Sequence, residues 1–83
     1  MSKVLLIKKN PCPYCDRAKV LLDNKGIAFD ILDLTDKMDE LELWKQKTGW
    51  KTVPMIFIND VLVGGYTDLK ALDDEGKLED MVK

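Results

Sequence analysis

The sequence has no histidine, only two cysteines in 83 residues, and a first apolar run no longer than Val4 to Ile7. Each absence excludes something. Structural zinc needs a full tetrahedral set of nitrogen or sulfur ligands, and without a histidine or a third cysteine this chain cannot close such a site alone. A cysteine–histidine ion pair is likewise unavailable. Four apolar residues are too few for a signal-peptide core or a membrane span, which predicts a protein that stays in the reducing cytoplasm. Charge of one sign is also missing. Thirteen basic against fifteen acidic residues leave a net charge of −2, which argues against a general nucleic-acid or membrane surface. No internal repeat, low-complexity segment or linker breaks the chain, and 46% hydrophobic residues suffice for one modest core.

What is present centres on Cys12-Pro13-Tyr14-Cys15. Three residues apart on a helix, two side chains share a face, so the thiols can meet as a disulfide with little backbone movement. As a structural staple the bridge would contribute little, because closing so short a loop removes little entropy from the unfolded chain. A C-x-x-C pair near strand–helix alternation reads instead as thioredoxin-like redox chemistry.

The continuous apolar run within Lys3 to Lys8 predicts a strand buried on both faces. Pro11 and Pro13 then fix the backbone around Cys12, which falls at or near a helix N-cap with Pro13 at the first helical position. Cys15, Ala18, Leu21, Leu22 and Lys25 recur at helical spacing up to Gly26. Ala28 to Leu34 is a second strand candidate. Thr35-Asp36 offers a cap for a helix carrying Met38, Leu41, Trp44 and Thr48, with Trp44 in the core rather than serving as a binding platform. Met55 to Ile58, the turn Asn59-Asp60 and Val61 to Val63 predict a hairpin broken by Gly64-Gly65. Tyr66-Thr67-Asp68 opens a helix to Gly76, and Leu78, Met81 and Val82 mark a short final turn. The order β-α-β-α-β-β-α predicts an α/β fold whose four-stranded mixed sheet has its first two strands parallel and helices on both faces.

Cys12-Pro13-Tyr14-Cys15, Thr52-Val53-Pro54 before Met55-Ile56-Phe57-Ile58, and Gly64-Gly65-Tyr66-Thr67-Asp68-Leu69 occur here in an order and spacing that resembles a dithiol glutaredoxin over essentially the whole chain, 1–83, as a single domain. The resemblance implies a thioredoxin-like fold and a glutathione-dependent thiol–disulfide oxidoreductase acting on protein disulfides and glutathionylated proteins. Its working form would be a monomer with glutathione as reducing co-substrate and no metal.

By the same resemblance, Cys12 attacks as a thiolate and Cys15 resolves. A free thiol titrates near ~8.5, and the amides and dipole at a helix N-terminus lower that value. Lys9 would contact glutathione and help hold the thiolate, although from the residues alone it reads as a solvated strand-end lysine. Tyr14 would flank the tripeptide. Thr52 adds a side-chain contact, and Val53, extended because it precedes a proline, offers its N–H and C=O to an extended peptide. Pro54 would follow a cis bond. Gly65 admits the ligand to the backbone, Thr67 binds the γ-glutamyl carboxylate and Asp68 its ammonium; the same two residues also suit a helix cap. Lys51, beside Trp50, matches loosely a position near the glycyl carboxylate.

Two other readings stay open. One is a glutaredoxin-like electron donor served by thioredoxin reductase; the other is a [2Fe-2S] module, against which Pro13 weighs. Pro11, where the family more often has a threonine, serine or glycine, removes one backbone donor near Cys12.

Overall fold

The computed structural model describes residues 3–82. Its elements are β1 (Val4–Lys8), α1 (Pro13–Asn24), β2 (Asp30–Asp33), α2 (Met38–Thr48), β3 (Met55–Ile58), β4 (Val61–Gly64), α3 (Tyr66–Asp74) and α4 (Leu78–Met81). The strands lie in the order β2-β1-β3-β4, with β1 parallel to β2 and antiparallel to β3, and β3 antiparallel to β4. This is the predicted mixed sheet, a thioredoxin-like fold.

Side-chain alternation along the central strands assigns the two faces. Val4, Leu6, Ile56 and Ile58 pack with Ala18, Leu22, Leu69 and Leu78, so α1, α3 and α4 cover one face. Ile7 and Met55 point the other way, to Leu41 of α2, with Leu34, Trp44 and Phe57 beside them. Trp44 is half-buried, its ring centroid 5.5 Å from that of Phe57, in keeping with a core role. Lys25, just past α1, bridges Asp73 at 2.7 Å and Glu79 at 3.2 Å, tying α1 to the last two helices. Hydrogen bonds from Lys25 to these two carboxylates raise its pKa.

Three local expectations shift. The second strand is shorter than Ala28 to Leu34, because the ladder to β1 begins only at the Leu5–Asp30 pair. Thr35 does not cap α2. Lys37 is the N-cap and makes no side-chain capping bond, because Thr35 is engaged elsewhere: its hydroxyl donates to Asp33 Oδ1 at 2.5 Å and accepts the Asn10 N–H at 2.9 Å. Gly64 does not end the hairpin but continues β4, opposite Ile56 at a register irregularity. Its φ of +126° lies where only glycine is at ease, and a Cβ there would come within 2.8 Å of the Asp68 carboxylate carbon. Asn59 and Asp60 have positive φ, as a tight two-residue hairpin turn requires.

No helix among the described residues is long and apolar enough to cross a membrane.

Candidate active site

Cys12 is the N-cap of α1 in extended backbone, and Pro13 occupies the first turn, where its missing N–H leaves nothing unsatisfied. The first-turn amides of a helix lack intrahelical acceptors. One of them, the Cys15 N–H, points at Cys12 Sγ from 3.1 Å. The sulfur therefore does the work that an oxygen does in an ordinary N-cap, and negative charge on it is favoured by that amide and by the helix dipole.

Cys12 and Cys15 form a disulfide, their Cα atoms 5.2 Å apart. Burial separates them: Cys12 keeps 9% of its surface and Cys15 none. The backbone before Pro54 is cis, as predicted; the Asn10-Pro11 bond is cis as well, which the sequence did not suggest. Val53 carbonyl oxygen stands 3.8 Å from Cys12 Sγ.

Two depressions meet at Thr52 and Val53. One, of about 310 Å³, is lined by Tyr14, Val53, Pro54, Gly65, Thr67 and Asp68, all predicted site residues. Trp50 and Tyr66 complete its walls. The other, of about 320 Å³, holds Cys12 between Pro11 and Pro13, with Lys9, Lys45 and Lys51 around it. Every predicted site residue except the buried Cys15 therefore lines one of the two. Thr67 is exposed and does not cap α3; Gly65 is the N-cap, and Asp68 Oδ2 accepts the Gly65 N–H at 3.1 Å. Tyr14 is 54% exposed, its ring 6.2 Å from that of Tyr66 and 5.3 Å from the Arg17 guanidinium.

Lys45 has no signal in the sequence, since only the packing of α2 brings it beside Cys12. Trp50 and Lys51, taken together from the sequence, separate: Lys51 joins the cationic depression and Trp50 the groove with Gly65. A further groove, of about 440 Å³ between Trp44, Phe57 and Leu62, contains none of these residues. Among the described residues no three histidine, cysteine or acidic side chains gather as metal ligands.

The loop before Cys12 is braced from β2. Asn10 donates to Thr35, and Thr35 donates through both its hydroxyl and its amide to Asp33 Oδ1. These two bonds, helped by the charge on Lys8, hold the Asp33 carboxyl below the usual carboxylate range.

The sequence matches the family model described as Glutaredoxin over residues 4–63. It is 41% identical to glutaredoxin 3 of Escherichia coli K12 over 83 residues, covering all of both chains. Among solved structures, a Brucella melitensis glutaredoxin is 42% identical with a TM-score of 0.86, over 98% of this chain and 88% of that one. A buckwheat glutaredoxin–glutathione complex is 30% identical with a TM-score of 0.89, over 98% and 76%. With its cysteine pair joined at the head of α1 in a thioredoxin-like fold, the chain belongs to the glutaredoxin family of thiol–disulfide oxidoreductases.

Proposed function

We propose that this glutaredoxin uses glutathione, reducing glutathione mixed disulfides and protein disulfides in the cytoplasm as a monomer. The observation that carries the reading is the position of Cys12 Sγ. It belongs to the less buried residue of the pair, it accepts an α1 amide, and it adjoins both depressions through Val53.

The Cys12 thiolate attacks the glutathione sulfur of a mixed disulfide, and the protein thiolate leaves and takes a proton from water. A second glutathione thiolate then attacks that same glutathione sulfur, releasing glutathione disulfide and restoring Cys12. With a protein disulfide, Cys12 forms the mixed disulfide with the substrate and Cys15 displaces it. That leaves the Cys12–Cys15 bond, which two glutathione molecules reduce.

Neither backbone group of Val53 joins a backbone–backbone hydrogen bond among the described residues, and the carbonyl meets only the Cys12 sulfur at 3.8 Å, which suits pairing with an extended tripeptide. Lys9, Lys45 and Lys51 supply positive charge at the glycyl end. The first-turn amides of α3 around Thr67 suit the γ-glutamyl carboxylate, and Asp68, whose Oδ1 is not used by Gly65, accepts its ammonium.

A coupled assay settles the reductant. With a glutathionylated peptide as substrate, turnover is expected with glutathione and glutathione reductase and not with thioredoxin reductase alone; the reverse result refutes the proposal in favour of the thioredoxin-reductase-fed donor.

A further inference from the structure

The indole Nε1 of Trp50 is the one buried side-chain nitrogen or oxygen among the described residues with no hydrogen-bond partner. Native folds rarely leave such a donor alone, and an orphan calls for an acceptor that the chain does not itself contain. Its surroundings bound a space beside it. Trp50 lines the groove, and its ring flanks Gly65: a Cβ built on Gly65 would stand 3.5 Å from Trp50 Cζ2, 3.9 Å from Nε1 and 3.6 Å from the Pro54 carbonyl oxygen. These are ordinary contact distances, so the missing side chain leaves an atom-sized space bounded by the indole edge. Gly65 has a φ of −98°, which any residue adopts. Glycine is therefore present at this position for room and not for backbone conformation.

The backbone that carries the indole is anchored. The Trp50 N–H donates to the Thr48 hydroxyl at 3.1 Å, and that hydroxyl donates to the Trp44 carbonyl at 2.7 Å, so the last turn of α2 fixes the chain leading into Trp50.

We infer that the Trp50 indole N–H is a specificity donor that binds a carboxylate oxygen of the thiol peptide in the space beside Gly65. The γ-glutamyl carboxylate is the group in question, because Thr67 and Asp68 line the same groove; the inference rests on glutathione being the groove's occupant. Trp50 touches substrate away from the reacting sulfurs, so it sets affinity equally in the ground and transition states.

The test uses the 15N-labelled Cys15→Ser protein with Cys12 joined by disulfide either to glutathione or to 2-mercaptoethanol, which has no carboxylate. Trp44→Phe identifies the Trp50 indole signal. That signal is expected to move downfield with glutathione and to stay in place with 2-mercaptoethanol.

In kinetics, Trp50→Phe keeps the ring and removes the donor. It should raise KM for a glutathionylated peptide about tenfold with kcat unchanged, as for one hydrogen bond to a charged acceptor. Gly65→Ala fills the space and should do the same, and the double variant should be no worse than either single one, since both remove one interaction. An unmoved indole signal, an unchanged KM for Trp50→Phe, or additive losses in the double variant would each overturn the inference while leaving glutathione dependence intact. Failure of the unsubstituted protein to prefer a glutathione-capped over a 2-mercaptoethanol-capped peptide defeats the glutathione reading itself, and this inference with it.

Discussion

Cys12 and Cys15 carry the same side chain and differ only in what surrounds it. The first is an N-cap that keeps 9% of its surface in a depression with three lysines; the second is fully enclosed by the helix and the core. A nucleophile must be both ionised and reachable, and of the two it is Cys12 whose sulfur accepts a helix amide and which keeps some accessible surface. Cys12→Ser should therefore abolish reduction of glutathionylated and disulfide-bonded substrates alike. Cys15→Ser should keep deglutathionylation within a few-fold of the parent and lose at least about tenfold on a protein disulfide, where the resolving step is intramolecular. Parallel steady-state rates on the two substrates measure this, and full deglutathionylation by Cys12→Ser would reverse the roles. The question raised by Pro11 also has an answer at this scale: the amide that reaches Cys12 Sγ belongs to Cys15, inside the helix, so the donor that Pro11 lacks is not the one the sulfur uses.

Between elements, the bridge from Asp33 through Thr35 to Asn10 links the end of β2 to the loop that presents Cys12. A carboxyl held below its ordinary range in the folded state stabilises the fold as the anion. Its contribution is present above the ordinary carboxylate range and is lost as pH falls through the lowered folded value. The gap in unfolding midpoint between the parent and Asp33→Asn should accordingly be widest near neutral pH, narrow as pH falls below the ordinary carboxylate range, and close only once pH has passed the lowered folded value, where both side chains are neutral. A gap that widens in acid would contradict the assignment. This bridge also explains one misread boundary. Thr35-Asp36 before a helical pattern is a sound capping signal, but the hydroxyl can serve one geometry at a time, and the contact to Asn10 spans 25 positions that no local window contains. Where the determining contacts are local, the elements are legible: the apolar run of β1, Pro13 after an N-cap, the Asn59-Asp60 turn, and Gly49 at φ +73° closing α2.

In the whole molecule, the matched family region ends at residue 63, yet the core does not. Leu69 and Leu78 are fully buried against β1, β3 and α1. Leu78→Ala should destabilise by about 2–5 kcal/mol, a large share of the ~5–15 kcal/mol available to a small domain. Urea unfolding followed by circular dichroism measures it as a lower midpoint with an unchanged slope, and a loss under about 0.5 kcal/mol would mean that α4 contributes no core. The site shows the same long-range dependence. Motifs at 12–15, 52–54 and 64–69 were readable because each is a short local pattern. Lys45 and the Trp50–Gly65 contact were not, since they exist only after α2 and α3 have packed on opposite faces of the sheet.

The distance along the chain between Cys12 and the residues that seat it also sets an order in time. During synthesis the cysteine pair emerges well before Val53, Gly65 or Leu78, and a domain folds as a unit once its parts are available. Until then Cys12 has neither a fixed helix terminus nor a groove, and nothing in its surroundings favours the thiolate. Its selectivity is thus the last property the nascent chain acquires, and a stalled or truncated product would carry the same two sulfurs without any preference for a partner.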